Sequence, residues 1–188
     1  MLSPGSVRNH VTAPSHVGKG THMAHIGIIG SGIAGLHLGL ALQQHGIDAT
    51  IYSERTPEQL RARQLSNMVA LNGCTRDRER ELSVNHWDAR SYDMPRLAVS
   101  VQGPRPFAFS GRMGAPAHAV DMRLYWAQLL EDFSARGGQV VIRTCHADHF
   151  ASLAPRHDLV VVASGRTSLS TIFPRIAEHS PYTTPQRL

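Results

Sequence analysis

The chemistry available to this chain is concentrated in Gly30-Ser31-Gly32-Ile33-Ala34-Gly35. Glycines at that spacing, after a short apolar run and before a helical period, suit a backbone that wraps an anion. Gly30 permits a tight turn, Gly32 lets the main chain approach a pyrophosphate, and Gly35 lets the next helix pack closely on the strand. Ser31, Ile33 and Ala34 carry the turn into the helix, whose first amides and dipole face the anion. A glycine-rich turn without a ligand is the rival reading. The strand, helix and second strand around the motif favour a dinucleotide.

A second group, Tyr52-Ser53-Glu54-Arg55, falls where a dinucleotide fold keeps an acid for the adenosine ribose hydroxyls. Ser53 stands at the usual acid position, so Glu54 is expected to make that contact, with a plain surface charge as its rival. Arg55 leaves a 2′-phosphate, and hence NADP, open. No metal is expected. Cys145, His146 and His149 come closest to a ligand set and read instead as exposed loop residues before Leu153. Cys74 and Cys145 lack the spacing of a redox pair and read as reduced thiols of a cytoplasmic protein.

These groups need a frame. Ile26–Ile29 reads as a strand, Ile33–Gln44 as a helix stopped by Gly46, and Ala49–Tyr52 as a second strand, parallel to the first. Pro57–Arg63 suits a helical turn. Leu97–Val101 and Phe107–Phe109, separated by Gly103-Pro-Arg-Pro106, predict an antiparallel insertion over about residues 92–118. Asp121–Ala135 follows as a helix with Leu124, Ala127, Leu130 and Phe133 on one stripe, stopped by Gly137-Gly138. Val140–Ile142 is a strand, and Leu159–Ala163 is apolar throughout, as a strand buried on both faces would be; it ends at Ser164-Gly165.

The chain has 188 residues, 41% of them apolar, enough for one domain of about 23–188. Residues 1–22 read as a disordered leader, with Met23 as the natural start. No apolar run reaches the length of a membrane span. The net charge of +5 is mild, with Arg8 and Lys19 of the leader contributing part of it. Arg76-Asp-Arg-Glu-Arg-Glu81 reads as a solvated face, and nucleic acid is not expected as a partner.

Several stretches taken together resemble the oxygenase subunits of the styrene/indole monooxygenases. They are Gly30-Ser-Gly-Ile-Ala-Gly-Leu-His-Leu-Gly-Leu40, Leu65-Ser-Asn-Met-Val-Ala70, Ala115-Pro116 with Ala119-Val-Asp-Met-Arg-Leu-Tyr125, and Pro185-Gln-Arg187. The resemblance runs from His25 to Leu188. It implies an α/β fold: a Rossmann-like FAD-binding domain of the aromatic hydroxylase type with a small antiparallel β insertion. It also implies that the C-terminal half of the family fold is absent, so that this chain alone is not expected to turn over. The implied function is epoxidation of a small aromatic alkene such as styrene or indole, using O2 and reduced FAD from a separate NADH-dependent flavin reductase; a homodimer is left open. By the same resemblance Asn67 would lie beside the flavin, at the oxygenation site. Where the family has an arginine three residues earlier this chain has Gln64, with Arg63 next to it, so either could make that cofactor contact. Arg123 matches a helix arginine that reaches toward FAD, its rival role being a salt bridge with Asp121 or Glu131. Ser164-Gly165 matches a turn near the adenosine half. The rival function is a non-catalytic module for FAD or NAD(P), or an inactive fragment.

Overall fold

The computed structural model describes residues 24–64, 68–165, 169, 172–173, 176–179 and 182. The leader, Leu65-Ser66-Asn67 and Pro185-Gln186-Arg187 lie outside the described residues.

A parallel sheet carries the glycine motif. Its strands are β1 (His25–Ile29), β2 (Asp48–Ser53), β6 (Gln139–Ile142) and β7 (Leu159–Val162), in the order β6-β2-β1-β7. All neighbours run parallel, with Ile28 beside both Ile51 and Val161. Successive side chains of a strand alternate between faces, and so does the core. Ile28 and Ile51 meet Leu36 and Leu40 of α1 (Ile33–Gln44) and Tyr125, Leu130 and Phe133 of α4 (Met122–Ala135). Ile29 and Tyr52 instead join Cys145, Leu169 and Leu153 of α5 (Phe150–Leu153) in a smaller cluster. The short helix α2 (Pro57–Arg61) is started by Thr56 and Gln59, which cap each other's main chain.

The remaining elements form a second, antiparallel sheet. The strand β3 (Met68–Leu71), helix α3 (Gly73–Glu81), strand β4 (Asp93–Val101) and strand β5 (Phe107–Asp121) give the order β3-β5-β4. The antiparallel pair expected over 92–118 is β4 with β5, and β5 runs on to Asp121. There it pairs with β3, whose Val69 lies opposite Val120. A strand of so few residues has too little alternation to stand out in sequence.

Four expectations are corrected. Leu124 is 46% exposed and off the buried face of α4, which is Met122, Tyr125, Ala127, Leu129, Leu130 and Phe133. At about 100° per residue, Leu124 and Phe133 point in opposite directions, so steps of three residues drift off one stripe. The run from Arg76 to Glu81 is not wholly solvated: Arg76 and Glu79, one helical turn apart on α3, are buried. Arg76 is held by Asp88 at 2.9 Å, Asp93 at 2.7 Å and the Pro116 carbonyl, which compensates its burial. β7 is an edge of the described sheet, with Leu159 exposed and Val160 and Val162 half-buried, because nothing described pairs on its far side. Cys145 is buried, not an exposed loop residue, because the segment after β6 folds back over Ile29 and Tyr52.

Candidate cofactor-binding site

An open cleft of about 700 Å3 lies at the C-terminal ends of β1, β2, β6 and β7, the place where open α/β sheets bind ligands. Its walls include Ile29, Gly30, Ser31, Gly32, Tyr52, Glu54, Arg55, Leu60, Arg63, Trp126, Arg143, Cys145, Ala163, Ser164, Gly165 and Leu169.

The motif's glycines differ in what they answer to. Gly30 has φ +116°, and a Cβ there would lie 2.6 Å from the Ala163 carbonyl oxygen, so the turn itself requires glycine. A Cβ on Gly35 would collide with the Gly30 carbonyl, so close helix packing requires that one. Gly32 is under neither constraint: its φ of −80° suits any residue, and a Cβ would meet nothing within 4 Å. It borders the cleft as the N-cap of α1, which has no side-chain cap and no acid in its first turn. Among the described residues no side chain caps the amides of Ile33, Ala34 and Gly35, the arrangement that accepts a phosphate.

Around this mouth the sequence candidates separate. Ser53 is fully buried; its hydroxyl lies 2.8 Å from that of Ser31 and donates to the Arg55 carbonyl, so it shapes the turn. Glu54 and Arg55 reach the wall as a 3.4 Å ion pair, both well exposed. Arg63 lines the cleft, its guanidinium 6.0 Å from the Trp126 ring centroid, whereas Gln64 is exposed and not part of the wall. Arg123 is not part of the wall either. It is bound to Asp121 at 2.6 Å and donates to the Arg63 carbonyl at 3.1 Å, while Glu131 is taken by Arg61. Ser164 and Gly165 close the far side. Asn67 lies outside the described residues.

Sequence reading missed Arg143, Cys145, Leu60 and Trp126. The first two follow β6, so once β6 is placed beside β2 the rule about strand ends points to them; no sequence signal marked the others. Burial is the largest influence on the Cys145 thiol and raises its pKa, which keeps it protonated and unreactive. Burial likewise raises the Tyr52 phenol, whose hydroxyl meets His157 Nε2 at 2.8 Å. Among the described residues no three His, Cys, Asp or Glu side chains come together as a metal site, and no helix is long and apolar enough to cross a membrane.

No protein-family model matches the chain. Two curated relatives do: styrene monooxygenase StyA of a Pseudomonas species is 41% identical over 162 residues, and its namesake from Pseudomonas fluorescens is 39% identical over the same length. The chain is homologous to part of these styrene monooxygenases. The match takes in 86% of this chain but 39% of each relative, so the chain spans about two-fifths of a styrene monooxygenase's length. Among solved structures, the flavin-dependent halogenase CmlS superposes on 64% of the chain, and on 22% of its own, with a TM-score of 0.50 at 27% identity. The expected fold class is borne out: a Rossmann-like α/β unit with an antiparallel sheet, as in flavin-dependent oxidoreductases.

Proposed function

We propose that this chain is the FAD-binding N-terminal part of a flavin-dependent monooxygenase of the styrene monooxygenase kind. The observation that carries the reading is Gly32, whose glycine answers to no need of the protein's own backbone or packing and which sits at the uncapped start of α1 on an open cleft. The residues present fit a dinucleotide: the Gly30–Gly35 turn would hold the pyrophosphate, Glu54 the ribose, and Arg63 and Arg143 would offset negative charge. Ser164 and Gly165 would border the adenosine half, and Asn67 the flavin ring.

Bound in reduced form, FAD would supply the oxygen-activating chemistry; the protein's share is to orient it and exclude water. The wider reading takes in a separate NADH-dependent flavin reductase as the source of reduced FAD, O2 as co-substrate, and epoxidation of a small aromatic alkene. It also places the protein in the cytoplasm, on the evidence of its two free thiols.

Calorimetric titration of residues 23–188 with oxidised FAD, dithionite-reduced FAD and NADPH tests the first step. Saturable FAD binding, tighter for the reduced form, supports the reading. Arg55 at the wall favours the rival, an NADP-binding module, and binding of NADPH alone would establish that rival.

A further inference from the structure

Arg63 reaches the cleft from a segment that helix hydrogen bonds barely hold. It lies two residues beyond α2, and its amide meets the Leu60 carbonyl at 3.4 Å, near the limit of a hydrogen bond. The start of α4 restrains it instead. Arg123 Nη1 donates to the Arg63 carbonyl at 3.1 Å, and one turn along the helix the Trp126 ring lies 6.0 Å from the Arg63 guanidinium. Main chain and head group of Arg63 are thus both held by one helix.

Arg123 itself offers a ligand little. Its Nε and Nη2 donate to Asp121, Nη2 at 2.6 Å, and its Nη1 to the Arg63 carbonyl. The Asp121 carboxylate offsets its charge, and the side chain is not part of the cleft wall. Asp121 is in turn fixed as the N-cap of α4, accepting from the Arg123 amide at 2.9 Å.

We propose, on the strength of the FAD reading above, that Arg123 is a positioning residue of the cofactor site: it fixes the main chain of Arg63, so that the Arg63 guanidinium, resting on Trp126, meets the phosphates of the dinucleotide. The gain is preorganisation. A free arginine has many rotamers, and an anion that must freeze them binds more weakly than one that finds the cation in place. Asp121 is the splint of this arrangement, so the end of β5 in the antiparallel sheet takes part in the cleft of the parallel one.

Calorimetric titration of FAD into the full chain is compared for the parent, Arg63→Met, Arg123→Met and the double variant. Arg63→Met is expected to weaken FAD about thirtyfold and Arg123→Met about tenfold, with the double variant no weaker than Arg63→Met alone. Independent contacts would multiply to about three-hundredfold; that result, or no response to Arg123→Met, overturns the proposal. Asp121→Asn adds a test of opposite sign. Asparagine still caps the helix, so the unfolding temperature should hold, but Arg123 loses its splint and FAD affinity should fall about threefold. If Arg123 met the phosphates directly, removing the carboxylate beside it would tighten binding, and that outcome also overturns the proposal. No saturable binding by the parent would sink the FAD reading and this inference together, whereas parent binding with multiplying losses sinks the inference alone.

Discussion

At the scale of single residues, the glycines of one motif make opposite predictions. Gly35→Ala places a methyl on the Gly30 carbonyl, and such overpacking costs about 1–3 kcal/mol or more; thermal unfolding should fall by several degrees. Gly32→Val enters open space at an ordinary backbone angle. Its unfolding temperature should stay within a degree or two of the parent, while FAD affinity in calorimetry drops by at least about tenfold, or 1.4 kcal/mol. Equal loss of stability in both variants would mean that Gly32 serves the fold and not a ligand. The motif was legible in sequence because both requirements act on the same letter; only the folded geometry separates them. Arg63 and Gln64 illustrate the reverse, since adjacent residues after a helix end point in different directions and sequence alone left both open.

At the scale of elements, α1, α3 and α4 are tied by a chain of polar side chains within the apolar core. Tyr125 donates to Glu79 at 2.7 Å and meets His37 Nε2 at 2.8 Å, and the second Glu79 oxygen lies 3.5 Å from His118 Nε2. Tyr125→Phe leaves a Glu79 oxygen in the core without its donor and should cost about 1–3 kcal/mol in denaturant unfolding. The same chain predicts a pH dependence. Burial, aided by the nearby Arg78 cation, lowers the pKa of His37 below its ordinary value of 6.5. The unfolded chain then binds the proton more readily than the folded one, so this stability is complete above about pH 6.5 and declines as the pH falls toward the lowered value. His37→Gln should flatten the acid side of the stability profile. A slope unchanged in that variant would place the effect elsewhere, with His157, also lowered chiefly by burial, as the next group to replace. Charge patterning hid this chain: Glu79 sits in a run of alternating charges that looks solvated, and its burial follows from Tyr125 of α4 and His118 of β5 meeting its carboxylate, a tertiary fact with no local signal.

For the whole molecule, the βαβ order and the cleft could be read from glycine and apolar spacing because they are local in sequence. The sheet order was harder. β6 joins the far side of β2 across the entire antiparallel segment, and this brings Arg143 and Cys145 to the cleft. A ligand in that cleft bridges segments from Gly30 to Gly165 and binds only the folded chain. FAD at one hundred times its dissociation constant should therefore stabilise the fold by about 2.7 kcal/mol, an upward shift in thermal unfolding that grows with FAD concentration. An unchanged midpoint at saturating FAD would contradict the proposed cofactor. The buried Arg76 links α3 to the loop carrying Asp88 and to Asp93 at the start of β4. Arg76→Ala takes the ion-pair partner from Asp93 and leaves the Pro116 carbonyl without its donor, while Asp88 keeps Arg80; it should cost about 1–3 kcal/mol, read as a lower denaturant midpoint.

The chain has two tryptophans, and the fold assigns them different surroundings. Trp87 lies against Tyr125, ring centroids 5.3 Å apart, beside the polar chain of the core; Trp126 borders the cleft under Arg63. The protein thus carries its own pair of optical gauges. A yellow cofactor entering the cleft would quench Trp126 by direct contact, so Trp126→Phe should remove the contact part of the quenching that FAD causes. The emission that remains, from Trp87, would then follow unfolding, and one cuvette could separate loss of the cofactor from loss of the fold.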